Sequence, residues 1–133
     1  MQITVDGSQF ELESRKVGRD IQQVGNVIKQ GVRAVSLEAK RNIQLRMPVR
    51  TGRAKSSWGN VPAAPPAFVD EGIWEVKNNG FTIIQGSKVP YVEDLNEGHS
   101  SQAPAGFIDA EEEAAVDKLD KELGELVLSV WGA

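Results

Sequence analysis

The stretch from Glu13 to Met47, ESRKVGRDIQQVGNVIKQGVRAVSLEAKRNIQLRM, decides how the rest of the chain is read. Its apolar side chains recur at Val17, Ile21, Val24, Ile28, Val32, Val35, Ala39 and Ile43, in steps of three and four, which stacks them along one side of a helix. As one helix, these 35 positions span about 50 Å, longer than a compact domain of this mass needs. Gly18, Gly25 and Gly31 each weaken the helix, by up to about 1 kcal/mol relative to Ala, so a continuous rod must draw stability from something packed on its apolar stripe. The alternative is two ordinary helices broken near Gly25 or Gly31.

Pro48 stops the pattern, because its ring and missing N–H do not fit a helical turn. Beyond it, Thr51 suits the N-cap of a short helical turn running into Trp58, with Gly52 permitting a tight approach and Ala54 and Trp58 on the apolar side. Residues 60–72 carry Pro62, Pro65 and Pro66 and read as a stiffened loop anchored by Phe68 and Val69. Ile73 to Lys77 and Phe81 to Gly86 flank Asn78-Asn79-Gly80, a hairpin signal, and Val61 is a candidate start for a further strand. A small antiparallel sheet lying against the long helix supplies the partner that the stripe requires.

Pro90 fits the first turn of a short helix presenting Tyr91, Val92 and Leu95 and ended by Gly98. Residues 99–106 read as a polar loop, and His99 within it as a surface residue. Phe107 and Ile108 introduce a last helix, with Asp109 or a neighbour as cap and Glu111, Glu112 and Glu113 near its positive end. Its expected apolar positions are Ala110, Ala114, Leu119, Leu123, Leu126 and Val127, with Val130 and Trp131 at the tail. Helix-end electrostatics and solubility account for the acid cluster more simply than a metal site does. At the other end, residues 1–12 read as an arm: Gln2 to Val5 as a strand, Asp6-Gly7 as a turn, and Phe10 with Leu12 as a second extended piece. Such an arm pairs at the edge of its own sheet or reaches into a neighbour. The expected fold is α+β: a single domain over 1–133, with a long N-terminal helix packed on a small antiparallel β-sheet, a short middle helix and a C-terminal helix.

Composition narrows the chemistry. The 133 residues are 40% apolar and 26% charged, contain no cysteine, and include one histidine, His99. Disulfides, thiol catalysis, Cys-based metal sites and two-histidine arrangements are thereby excluded. No phosphate loop is present, and Thr51 and Ser57 have no evident general base, so the chain reads as a non-enzyme without cofactor or metal. No run of about 18 apolar residues occurs, and charges fall throughout the first twenty, so neither a membrane span nor a secretory signal is visible.

The net charge of −4 conceals an asymmetry. Residues 1–70 contain 11 Lys or Arg against 6 Asp or Glu; residues 71–133 contain 4 against 13. The halves can neutralise each other within one fold or between neighbouring copies, or the basic half can meet nucleic acid. Eight basic residues, Lys29, Arg33, Lys40, Arg41, Arg46, Arg50, Arg53 and Lys55, lie in one run with the single acid Glu38. Such a run is usually a solvated face; its density also suits an acidic surface or duplex DNA. The aromatic interleaving of a single-strand platform is absent.

Taken together, Val49-Arg50-Thr51-Gly52-Arg53 with Ser57 and Trp58, a hairpin, Pro90-Tyr91-Val92-Glu93 with Asn96-Glu97-Gly98, and Pro104 with Phe107-Ile108 before a final helix form an ordered set. The set resembles the neck or tail-completion proteins of tailed bacteriophages, in the group named after the tenth gene product of phage HK97. Thr51, Gly52, Arg53 and Ser57 match the first motif of that group, Tyr91, Glu93, Glu97 and Gly98 the second, and Pro104 and Phe107 the third. The likeness covers about residues 15–128. The step from Glu93 to Gly98 is two residues longer than is often seen there, and the loop from Pro62 to Phe68 is richer in proline.

The resemblance implies a structural virion protein at the head–tail junction, assembled in the host cytoplasm as a homo-oligomeric ring, a hexamer or a dodecamer, around the DNA channel. Implied neighbours are a head–tail connector or stopper protein and a tail terminator or tail tube protein, with genomic DNA passing through the lumen without sequence specificity and no membrane contact. Trp58, Phe68, Tyr91 and Phe107 are the expected packing or interface anchors, and Arg50, Arg53 and Lys55 the expected charged contacts. The alternatives are a nucleic-acid-binding module using residues 29–55 and a tail terminator.

Overall fold

The computed structural model of the chain describes residues 1–10, 12, 21–47, 57–59, 72–97 and 105–131, without the side chains of 21–23, 91 and 126–131. Their order is β1 (Gln2–Asp6), α1 (Ile21–Arg46), β2 (Gly72–Lys77), a 3-10 turn at Asn78–Gly80, β3 (Thr82–Ser87), α2 (Tyr91–Asn96) and α3 (Phe107–Trp131). This is the expected α+β architecture of a long helix on a small antiparallel sheet, followed by a short helix and a C-terminal one.

The apolar stripe forms one helix. Over its 26 residues α1 runs without a break through Gly25 and Gly31, so the two-helix alternative does not occur there; its expected beginning at 13–20 lies outside the described residues. Ile28, Val32, Val35, Ala39 and Ile43 are buried, and Val24 packs against the same core. Gly31 has a packing reason to be glycine, since a Cβ there would lie 3.0 Å from Leu123 Cδ2. The helix ends at Arg46 and Met47 is a bend. Residue 47 precedes Pro48, whose ring disfavours the helical conformation in the residue before it.

The hairpin forms as its sequence suggests. Asn78 and Asn79 adopt φ of 53° and 57°, Gly80 follows at 97°, and Phe81 N donates to Asn78 O at 3.1 Å. Strands β2 and β3 pair antiparallel with Lys77 opposite Thr82, and Gly72, read from sequence as the last loop residue, is instead the first residue of β2. Strand β1 pairs antiparallel with the other edge of β3, Gln2 opposite Gly86 through Asp6 opposite Thr82. The order is therefore β1-β3-β2, and the arm completes its own sheet. Ile3 and Val5 of β1 join Phe81 and Ile83 in the core against α1.

The second half of the arm differs from expectation. Residues 8–10 and 12 are helical, not extended. Asp6 causes the change: its Oδ1 accepts from Ser8 N at 2.9 Å and from Thr82 Oγ1 at 2.9 Å, which caps a turn and ties it to β3. Phe10 N then donates to Gly7 O at 3.1 Å. Gly7 itself lies directly on α1, where a Cβ would stand 2.6 Å from Val32 Cγ2.

On α3, Phe107, Ile108, Ala115, Leu119 and Leu123 are buried, whereas Ala110 and Ala114 are exposed. Leu119 and Leu123 are buried as expected, while in the first turns Glu111, not Ala110 or Ala114, holds the core-facing position between Ile108 and Ala115. The side chains of Leu126, Val127, Val130 and Trp131 lie outside the described residues, as do the loops at 60–71 and 99–104, Val61 and His99 included. Contacts of residue 31 with 123, 38 with 118 and 46 with 111 make α1 and α3 antiparallel neighbours.

Candidate functional site

Most of the motif residues that can be placed gather at two joints. The first surrounds Trp58, which is wholly buried after the basic stretch. Its Nε1 donates to Gln85 Oε1 at 2.9 Å, and Gln85 Nε2 donates to the Ser36 carbonyl of α1 at 2.7 Å. Gln44 Nε2 donates to Trp58 O at 2.9 Å, and Gly59 N to Gly86 O at 2.9 Å. Ser57 and Ser87 share a hydroxyl hydrogen bond of 2.6 Å, and Ser87 Oγ accepts from Val89 N at 3.1 Å. A large indole is thus buried with its N–H satisfied, and the turn at 57–59 is fixed to α1 and β3 at once. Ser36 Oγ is buried without a partner among the described residues.

The second joint is Asn96, at the end of α2. Its Oδ1 accepts from Ile108 N at 2.9 Å and Asp109 N at 3.4 Å, while its Nδ2 donates to Asp109 Oδ2 at 2.8 Å. The cap of α3 therefore comes from a residue eleven positions before its first turn, not from Asp109 or a neighbour as the sequence suggests, and Asp109 sits in that first turn. Nothing local in the sequence marks this, because the capping side chain precedes a loop. Phe107, just inside the same helix end, is buried. Trp58 and Phe107 are thus packing residues within the chain.

A third junction holds α3 to α1 and to β1. Glu111, only 7% exposed, accepts from Asn42 Nδ2 at 2.9 Å and lies 3.5 Å from Arg46 Nη1. Arg46 closes the C-terminal turn of α1 and Glu111 stands early in α3, so each charge also suits its own helix dipole. Glu112 Oε2 accepts from Thr4 N at 3.0 Å, on the outer edge of β1. Two of the three clustered acids thus also serve as structural clamps, a role that helix-end electrostatics and solubility alone did not suggest. Between the helices lies a groove of about 250 Å³ with Val35, Ala39 and Ala115 among its lining residues, bordered by the Glu38–Lys118 pair and by Arg46 with Glu111. The hydrogen bond to Glu38 holds the Lys118 ammonium above its ordinary range.

The basic run divides. Lys29 Nζ lies 5.1 Å from the ring centre of Phe81, and Lys40 Nζ 5.7 Å from that of Trp74, so both lie over hairpin aromatics. Arg33 and Arg41 face solvent, and with Leu37 and Leu45, 44% and 64% exposed, they form a ridge along α1 in steps of four. On α3, Asp109, Glu113, Asp117 and Asp120 are exposed in steps of four, four and three, with the exposed Val116 beside them. Two antiparallel neighbouring helices thus present outward ridges of opposite charge, each with apolar side chains along it. Within the chain, Arg46 with Glu111 is a pair that joins the basic half to the acidic half.

Glu93 and Glu97 are exposed at α2, where Glu97 N closes the helix on Glu93 O at 3.0 Å. Arg50, Thr51, Gly52, Arg53, Lys55, Phe68, Gly98, Pro104 and the Tyr91 side chain lie outside the described residues. Among the described residues, no group of three or more His, Asp or Glu is placed to hold a metal ion, and no helix is long and apolar enough to cross a membrane. No family model matches the chain, and no curated protein or solved structure matches it either.

Proposed function

We propose that the chain is a structural virion protein of the head–tail junction of a tailed bacteriophage, whose copies close into a ring around the DNA channel and join the connector to the tail. The observation that carries the reading is the pair of opposite ridges. Arg33-Leu37-Arg41-Leu45 on one copy complements Asp109-Glu113-Val116-Asp117 on the next, and a head-to-tail contact that uses one ridge from each copy is suited to closure. The ordered motifs from Thr51 to Phe107 support the same assignment. Of their described members, Ser57, Trp58 and Phe107 lie at buried joints, while Glu93 and Glu97 are exposed at α2.

The test is the mass in solution, by light scattering over a range of concentration and salt, of the wild-type chain and of R33E/R41E, alone and with a purified connector or tail terminator. The expected result is a closed oligomer, formed alone or on addition of the partner, that R33E/R41E abolishes while circular dichroism stays unchanged. A second reading rests on the same exposed Arg33 and Arg41: a nucleic-acid-binding module. A monomer that ignores head–tail partners but shifts duplex DNA, with affinity falling linearly in log–log against salt, would replace the first reading with the second.

A further inference from the structure

We infer that β2 is a pairing edge for a second copy of this chain, two molecules joining β2 to β2 antiparallel about a two-fold axis at Val76. The sheet has two edges, and they are finished differently. Along β1–β3 the bonded backbone pairs are odd-numbered, as Gly7 N to Phe81 O at 2.7 Å and Ser87 N to Met1 O at 2.9 Å show. The even residues of β1 therefore point outward, and Thr4 N there is already taken by Glu112 of α3. That edge is closed by a helix. By the same alternation β3 offers its even residues to β2, where they meet Ile73, Glu75 and Lys77. Trp74 and Val76 consequently direct their backbone N–H and C=O away from the sheet, and among the described residues these groups have no partner. Val76 is 57% exposed at the same place.

An edge unpaired among the described residues can accept a strand, and the side chains say which one. Glu75 and Lys77 share the face opposite α1 and lie 3.4 Å apart as an ion pair, both about half exposed. Inverted by a two-fold axis at Val76, Glu75 faces Lys77 of the second copy, and Lys77 faces its Glu75. The same axis sets Val76 against Val76 as a bonded backbone pair, outward groups meeting outward groups. An axis at Glu75 sets Glu75 against itself, and one at Trp74 sets it against Ile73. Like charges along this edge would repel a copy; this alternation is complementary to its own inversion. Since β1 is covered, the contact is isologous, unlike the head-to-tail contact of the ridges.

The experiment is sedimentation velocity of the full chain over a concentration series, with V76P, E75K and E75K/K77E. V76P removes an N–H that β3 does not use, so its circular dichroism and melting temperature should stay near wild type while the two-fold association weakens about tenfold or more. E75K should also weaken association, and E75K/K77E should restore it. The proposal is overturned by a wild-type chain without a doubling step, by a folded V76P that associates as wild type does, or by E75K/K77E being no better than E75K. Should V76P not fold, the charge series decides alone. The ridge contact is read separately through R33E/R41E, so a ring that survives V76P leaves the head–tail reading standing and removes this one.

Discussion

Gln85 illustrates what a single position contributes here. In β3 it shares the buried face with Phe81, Ile83 and Ser87, where an amide is costly unless both ends are bonded. Trp58 and Ser36 supply those bonds. Replacing Gln85 by Leu leaves the indole N–H buried without its partner and removes the second bond to the Ser36 carbonyl, which keeps its place in the α1 ladder, and stability in urea should fall by about 1–3 kcal/mol. Replacing Trp58 by Phe should then cost less in the Gln85→Leu background than alone, since the shared bond is already gone; equal costs would mean the two act independently. Asp6 carries a pH signature. Burial raises its pKa, but the hydrogen bonds from the side chain and backbone of Ser8 and from Thr82 outweigh this, and the net shift is downward. Its contribution is therefore present above the unfolded pKa and is lost as pH falls through the folded one. Chemical denaturation from pH 6 down to 2 should show a loss in wild type that Asp6→Asn lacks. Trp58 was legible in the sequence as an anchor because it is large and isolated. Gln85 was not, since its burial depends on an indole twenty-seven positions away.

At the scale of the element, most of the buried face of α1 was legible, because Ile28, Val32, Val35, Ala39 and Ile43 keep helical spacing over four turns; the buried Ser36 beside them was not. The face of α3 was not. Glu111 occupies a core position and is tolerated only because Asn42 and Arg46 reach it from α1. The two described glycines of α1 separate propensity from packing. A Cβ at Gly25 would sit 3.5 Å from the Phe81 ring, ordinary contact, whereas at Gly31 it would press on Leu123. Gly25→Ala should therefore stabilise the chain by about 0.5–1 kcal/mol in urea melts. Gly31→Ala should gain less or lose, and equal gains would show that Leu123 yields freely. Asn96→Ala tests the borrowed cap of α3. It should cost about 1–2 kcal/mol, and hydrogen exchange should quicken first at Ile108 and Asp109.

For the whole molecule, the question is where the opposite charges of the two halves are satisfied. Arg46 with Glu111 joins the halves inside the chain, and Lys29 and Lys40 lie over aromatic rings. The ridges of α1 and α3 keep their charges in solvent, where the proposed ring would bring them together. The sequence showed the imbalance but not its location, because which residues of a helix face outward follows from the packing of its neighbours. A contact between such ridges has two physically separable parts. Its charged part is screened over about 10 Å at 0.1 M salt, and its apolar part, from Leu37, Leu45 and Val116, is not. Oligomer mass followed from 0.05 to 1 M salt should therefore decline without vanishing in the wild type. In R33E/R41E the opposite trend is expected, since salt relieves the repulsion that the substitution introduces. L37S/L45S should keep the salt dependence and lose the remainder at high salt. A mass indifferent to salt in the wild type would place the proposed contact away from the ridges.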